Sequence, residues 1–143
     1  MNKELVIIKT IEIKATPAKI WETLTSPERI KRYFFSPKPI TDWQAGSSIE
    51  FEGSYKKGEA KDGGTIIAIE KEKLLQYTYW TKFSGLERKE ENYSMISYKL
   101  EEFEEHTLLI LSEQGFANEE AKEQAELNWT MILEEIHNLS RPY

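Results

Sequence analysis

Residues 125–136 read AELNWTMILEEI. Apolar side chains recur every three or four positions through Ala121, Ala125, Trp129, Ile132, Leu133, Ile136 and Leu139, the spacing that gathers them along one face of an α-helix. The pattern predicts a helix from Asn118 to Leu139, set off from the preceding chain by Gly115. At about 1.5 Å per residue it is about 30 Å long, the width of a small domain. A helix of that length with a single apolar stripe needs a broad apolar surface to cover. Asn128 sits on the shoulder of the stripe, directly before Trp129. Its amide either stays in water at the helix edge or projects inward to hydrogen-bond a ligand or a tyrosine hydroxyl. The inward arrangement requires a partner, because a buried amide without one costs roughly 1–3 kcal/mol.

The surface to be covered lies upstream. Residues 5–15, LVIIKTIEIKA, are rich in branched apolar residues and alternate at Ile11 and Ile13, which predicts a strand. Thr16 reads as an N-cap with Pro17 in the first turn, and Ile20, Trp21 and Leu24 give the stripe of a short helix. Ser26-Pro27 repeats the signal and starts a second short helix carrying Ile30, Tyr33 and Phe34. A loop with Pro37, Pro39 and Gly46 ends the pair. SSIEFEG puts Ile49 and Phe51 on one face of a strand, with Glu50 and Glu52 toward water. GTIIAIEKEKLLQYTYW and NYSMISYKLEEFEEHTLLILSE read as hairpins turning near Lys71–Lys73 and near Glu104–Glu105. Gly63 and Gly64 lack the strand-to-helix setting of a phosphate loop and are expected to ease a bulge or bend.

The order is therefore strand, two short helices, further antiparallel strands, long helix. A twisted antiparallel sheet of about six strands curls, and one of its faces must be buried. Only the last helix is large enough to cover it. The expected fold is α+β, a curved antiparallel sheet wrapped around the C-terminal helix, forming one domain over residues 1–143.

Composition narrows the function. Hydrophobic residues make up 39% and charged residues 31%, an ordinary balance for a globular protein. The formal charge of -6 argues against a nucleic-acid partner, which selects a basic face. No apolar run approaches membrane-spanning length and no leader pattern is visible at the start. The chain has no cysteine, which fits a reducing compartment, and a cytoplasmic location is expected.

Four segments together carry a resemblance: IEIKATPAKIWETLTSPERI (11–30), DWQAGSSIEF (42–51), GTIIAIEKEKLLQYTYW (64–80) and LILSEQGFANEEAKEQAELNWTMILEEI (109–136). In this order they resemble the helix-grip superfamily (SRPBCC, START-like) of the birch pollen allergen and the steroidogenic-acute-regulatory-type lipid-transfer domains. Within it, the chain is similar to the AHSA-type family, named after the C-terminal domain of the activator of the heat-shock chaperone ATPase. The resemblance implies fold more strongly than function, since one fold hosts many roles. Bacterial members often have Gly-Trp where this chain has Asn128-Trp129. Many also have a histidine shortly before the Gly-Phe pair that here is Gly115-Phe116, preceded by Glu113 and Gln114. Whatever role those family residues play does not carry over.

Candidate sites follow from residue chemistry. His106 and His137 lack metal-ligand spacing, so no metal and no cofactor is expected. Motifs for an activated serine are absent. Glu101, Glu102, Glu104 and Glu105 cluster at a turn and read as solvated charge. A buried carboxylate would be a candidate acid or base, and no pattern singles one out. The aromatic residues either pack as ordinary core or line a cavity, since tyrosine offers an apolar ring and an orienting hydroxyl. Leu75, Tyr77 and Tyr79 share one face by alternation, assigned as the inner one. With Tyr33, Phe35 and Phe51 from the front of the chain, and Asn128, Trp129 and Ile132 from the last helix, they form the expected cavity lining. Access is expected near residues 33–35 and the loop 82–92.

The preferred reading is a non-catalytic protein, monomeric or a weak homodimer, that binds a small hydrophobic or aromatic molecule of lipid or polyketide type. The alternative is a chaperone partner, implied by the family name alone. In the eukaryotic proteins that role involves an additional N-terminal domain, and these 143 residues leave none to spare. A third reading, a cyclase or aromatase known in the superfamily, lacks a recognisable acid–base pair here.

Overall fold

The computed structural model describes residues 2–34, 39–51, 62–81 and 84–141. β1 (Asn2–Ile13) leads into α1 (Pro17–Thr25). The Thr16 hydroxyl accepts the Lys19 backbone N–H at 3.2 Å, and Pro17 sits where no helical donor is lost. Ser26 serves both helices. Its backbone N–H closes α1 on the Glu22 carbonyl, while its hydroxyl accepts from the Arg29 backbone N–H and starts α2 (Pro27–Tyr33).

Next come β2 (Pro39–Ile40), β3 (Ser48–Phe51), β4 (Gly63–Glu70), β5 (Leu74–Tyr79), β6 (Ser94–Glu102) and β7 (Thr107–Phe116). A 3-10 turn at Glu90–Asn92 interrupts the β5–β6 connection. α3 (Glu119–Ser140) closes the described chain, and the Asn118 side chain caps it by accepting the Ala121 N–H at 2.8 Å. The strands form one antiparallel sheet in the order β1-β7-β6-β5-β4-β3-β2. The expected sheet of about six strands has seven. The addition is β2, two residues in the stretch read as a loop. It lies at the sheet edge, where the missing N–H of Pro39 need not break a ladder. β1 also begins earlier than expected, because it follows β7 as far as Phe116.

Alternation sends one set of side chains inward, and the register lays them out in rows. Leu75, Tyr98 and Leu111 form one row; Tyr77, Ile96 and Glu113 form the next; Tyr79 and Ser94 follow. Across this concave face α3 buries Trp129, Ile132, Leu133 and Ile136. Fully burying one such aliphatic side chain is worth roughly 1.5–3 kcal/mol, so the stripe supplies most of what holds the helix down. Its last turn is also fastened by a hydrogen bond. Ser140 Oγ donates to Thr23 Oγ1 at 3.0 Å, and both residues are fully buried.

Gly63 and Gly64 were expected to ease a bulge or bend. The register skip in that hairpin instead falls at Ile67, between Ile66 and Ala68. The glycines answer a different demand, close approach of backbones. A Cβ on Gly64 would run into the Thr78 carbonyl, and one on Gly63, at φ +149°, into the Ile49 carbonyl.

Candidate functional site

Strand alternation along β7 places Thr107, Leu109, Leu111 and Glu113 on the same side. Three belong to a normal core; the fourth is a carboxylate. Glu113 is 8% exposed. Its Oε1 accepts the Trp129 indole N–H at 2.7 Å, and its Oε2 accepts the Ser94 hydroxyl at 2.7 Å. One donor comes from the helix and one from the sheet, so the carboxyl stitches the two layers together. Burial raises the Glu113 pKa above the usual carboxylate range, and the bonds from Trp129 and Ser94 offset part of that rise. None of its causes is a nearby cation.

Four tyrosines surround this region. Burial raises the pKa of Tyr33, Tyr77, Tyr79 and Tyr98, so all are neutral phenols at pH 7. The proximity of Tyr77 adds to the effect at Tyr33 and Tyr98, and that of Asp62 adds to it at Tyr79. Tyr33 directs its hydroxyl to the Leu24 carbonyl at 3.1 Å, closing the end of α1. Tyr98 is fully buried, and its hydroxyl has no hydrogen-bond partner among the described residues. An unsatisfied buried hydroxyl costs about 1–3 kcal/mol.

Aromatic rings fill much of the space. Phe34, half-buried at the end of α2, stacks on Phe51 at a centroid distance of 5.4 Å. It also meets Tyr79 edge-on at 5.5 Å and Trp129 at 6.2 Å. Trp129 meets Tyr98 edge-on at 5.9 Å. Thus Phe51, Leu75, Tyr77, Trp129, Ile132 and the Tyr33 ring are buried in the core, and Tyr79 packs half-buried against it. Asn128, expected in the lining, is instead exposed, and its Oδ1 accepts from Gln124 Nε2 one turn back at 3.4 Å. A step of 100° around the helix from buried Trp129 carries its amide into water. Phe35 lies outside the described residues.

The loop expected to admit a ligand is tied down where the structure describes it. Arg88 forms a two-pronged pair with Glu50 at 3.1 and 3.2 Å. Its Nε donates to the Tyr93 hydroxyl at 2.6 Å, and its guanidinium lies 5.8 Å from the Trp80 ring centre. Trp80 Nε1 donates to the Leu86 carbonyl at 3.2 Å. Glu50, expected in water, is half-buried in this clamp. Two open clefts of about 510 and 760 Å³ lie elsewhere, beside the start of α1 and the β6–β7 and β4–β5 turns. Their walls are largely lysine and glutamate and include none of the expected lining residues. Among the described residues, no three His, Asp or Glu side chains gather as a metal-binding set, and no helix is long and apolar enough to cross a membrane.

Glu113 escaped the sequence reading. The alternation of buried residues along β7 was the available signal, and it points inward at that position.

A raised pKa makes stability depend on pH in a definite direction. The folded state holds the Glu113 proton more tightly than the unfolded chain does, so stability falls as pH rises from the ordinary carboxyl range through the folded pKa, then levels off. Glu113→Gln removes this slope. Relative to wild type, the variant is expected to gain stability as pH rises above the ordinary carboxyl range, with a slope of at most about 1.4 kcal/mol per pH unit. Denaturation midpoints across that rise in pH check it, and parallel curves would contradict it.

The architecture, a long helix gripped by a curved antiparallel sheet, defines a helix-grip protein. The chain belongs to the Activator of Hsp90 ATPase homolog 1-like protein family, whose model matches residues 14–140. No curated protein matches it. Among solved structures, it is similar to ChR145 from Cytophaga hutchinsonii, with 29% identity over 96% of this chain and 94% of that one, at a TM-score of 0.81. It shares its fold with the Aha1 dimer from Colwellia psychrerythraea, at 20% identity over 96% of each chain and a TM-score of 0.71. The same holds for DynU16, described as a protein in the dynemicin biosynthetic locus. There the identity is 14% over 99% of this chain and 50% of that one, with a TM-score of 0.75.

Proposed function

We propose that this protein binds a small, partly apolar molecule between the sheet and α3 and does not transform it. The observation that carries the reading is the Tyr98 hydroxyl, fully buried beside Tyr33 and Tyr77 yet without a hydrogen bond of good geometry among the described residues. Glu113 supplies a second polar group on the same inner face. Phe51, Tyr79 and Trp129 supply ring surfaces for the rest of a guest, and Phe34 occupies the space among them. Phe34 is half-buried and ends a helix of seven residues. A rotation of that one side chain would exchange the protein's own ring for a ligand's. The fold shared with a protein of a biosynthetic locus agrees with a small-molecule role.

Titration with aromatic and fatty-acid probes, followed by residue-level chemical shifts, tests this. Shifts are expected at Phe34, Tyr79, Tyr98 and Trp129. Shifts confined to the outer strand faces, or no binding at millimolar probe, would move the chaperone-partner reading ahead. Tyr98→Phe checks the carrying observation separately. It is expected to leave the empty protein as stable as wild type or about 1 kcal/mol more stable, because it deletes an unpaired hydroxyl. A clear loss in thermal unfolding would show that the hydroxyl has a partner.

The buried carboxyl favours one other reading, acid–base catalysis on a bound molecule. Turnover of a bound probe that disappears in Glu113→Gln would decide for it.

A further inference from the structure

The interior is electrically one-sided. Among the described residues the buried polar side chains are Thr23, Asp62, Ser94, Thr107, Glu113 and Ser140, with no lysine, arginine or histidine. The rings of Phe51, Tyr79, Tyr98 and Trp129, packed together in this interior, carry no positive charge and have quadrupoles with negative faces. Among the described residues, the groups facing Glu113 from each packed element leave it without a counter-charge. β6 offers Ser94 and, one row away, Tyr98; β5 offers Tyr77 beyond Ile96; α3 offers the Trp129 indole. β1 offers Ile7, with half-buried Lys9 two residues along the same side but opposite Leu111. Lys122 on α3 is engaged with Glu126 at 3.1 Å, and Arg88 with Glu50. Each Glu113 oxygen accepts one protein donor, which leaves lone pairs for another.

We propose that the guest of this site carries a protonated amine, its N–H donors on Glu113 and the Tyr98 oxygen and its carbon body against Phe51, Tyr79 and Trp129. The inference rests on the interior-binding reading and adds the chemical class. A buried carboxylate without a cation stays protonated or must find one. Aromatic faces attract the same ammonium, more strongly when water is excluded. A neutral hydroxyl would fill the Tyr98 vacancy but leave the charge of Glu113 uncompensated. Binding follows a simple proton balance. The ammonium enters with its proton, Glu113 becomes a carboxylate, and below the pKa of the empty site one proton passes to solvent per guest bound. Affinity for the amine therefore rises with pH up to that pKa and is flat above it, until the amine itself loses its proton.

Calorimetric titration with benzylamine and with benzyl alcohol, nearly equal in shape, tests this. Benzylamine is expected to bind at least about tenfold more tightly at pH 7, the scale of a hydrogen bond to a charged group. Repeating the titration below the Glu113 titration step of the empty protein, located by the Trp129 indole resonance, in two buffers of different ionisation heat should show proton release with the amine and none with the alcohol. In Glu113→Gln the preference is expected to fall to near one. Equal affinities in wild type, a preference that survives Glu113→Gln, or absence of proton release would each overturn the amine. In those cases alcohol binding at the interior would leave the pocket reading standing. Failure of both compounds to bind would overturn the two together. The proton-release measurement uses the wild-type chain, so it stands whether or not the variant folds.

Discussion

Trp129→Ala is expected to lose about 3–5 kcal/mol of stability, the range for removing a large aromatic side chain from a core. The ring is 3% exposed and touches Phe34 from α2 and Tyr98 from β6, so three elements meet on it. Its indole N–H is one of the two donors that the described residues place on the Glu113 carboxyl. Truncation therefore opens a cavity and also takes a hydrogen bond from a buried acid. Typical domains have about 5–15 kcal/mol in total, so partial unfolding at room temperature is a realistic result. Trp129→Phe separates the two contributions, since it keeps most of the ring and drops the donor. It is expected to be intermediate and to raise the Glu113 pKa further. Urea denaturation of both variants provides the check. Wild-type stability for Trp129→Ala would mean that α3 faces the sheet with another side.

Gly64→Ala is expected to cost about 1–3 kcal/mol or more, the range for overpacking, although it adds a single methyl group at an ordinary backbone angle. The reason is location. The new Cβ meets the Thr78 carbonyl of the neighbouring strand, which is backbone and cannot rotate away. β4 and β5 must separate at that point, loosening Thr65, whose N–H is held by the Thr78 hydroxyl at 2.9 Å. Gly46→Ala is the control. Gly46 has open space around its Cβ but sits at φ +89°, so its cost comes from the backbone alone. Thermal unfolding together with amide exchange at residues 64–66 and 78 distinguishes the two. Unchanged protection at β4 in Gly64→Ala would contradict the close-approach account.

Features set by neighbouring residues were readable from the sequence. Thr16-Pro17 and Ser26-Pro27 start helices through contacts within one turn, and the structure shows both caps. The hairpins turn where expected because alternation on each side fixes their register. Features set by distant residues were not readable. The Arg88–Glu50 clamp joins positions 38 apart, and nothing local to either residue announces the other. β2 is defined only by pairing with β3. Asn128 shows the limit of helical spacing: three residues after Ala125 and four before Ile132, it shares their side of the helix, but the sheet does not reach that shoulder. Glu113 is the instructive case. Its parity along β7 was available, yet a glutamate in a strand next to Gln114 reads as surface until Trp129 and Ser94 are seen to meet it.

The most direct test follows the indole N–H of Trp129 in proton–nitrogen correlation spectra, first across pH 4 to 8 and then during addition of benzylamine. That one resonance reports on Glu113 and on any guest beside it, because the N–H is bonded to the carboxyl. It is expected to shift with a single titration step above the ordinary carboxyl range, and to shift again as the guest binds. A Trp129 resonance that responds to neither, while other resonances move, would contradict an interior site built on Glu113.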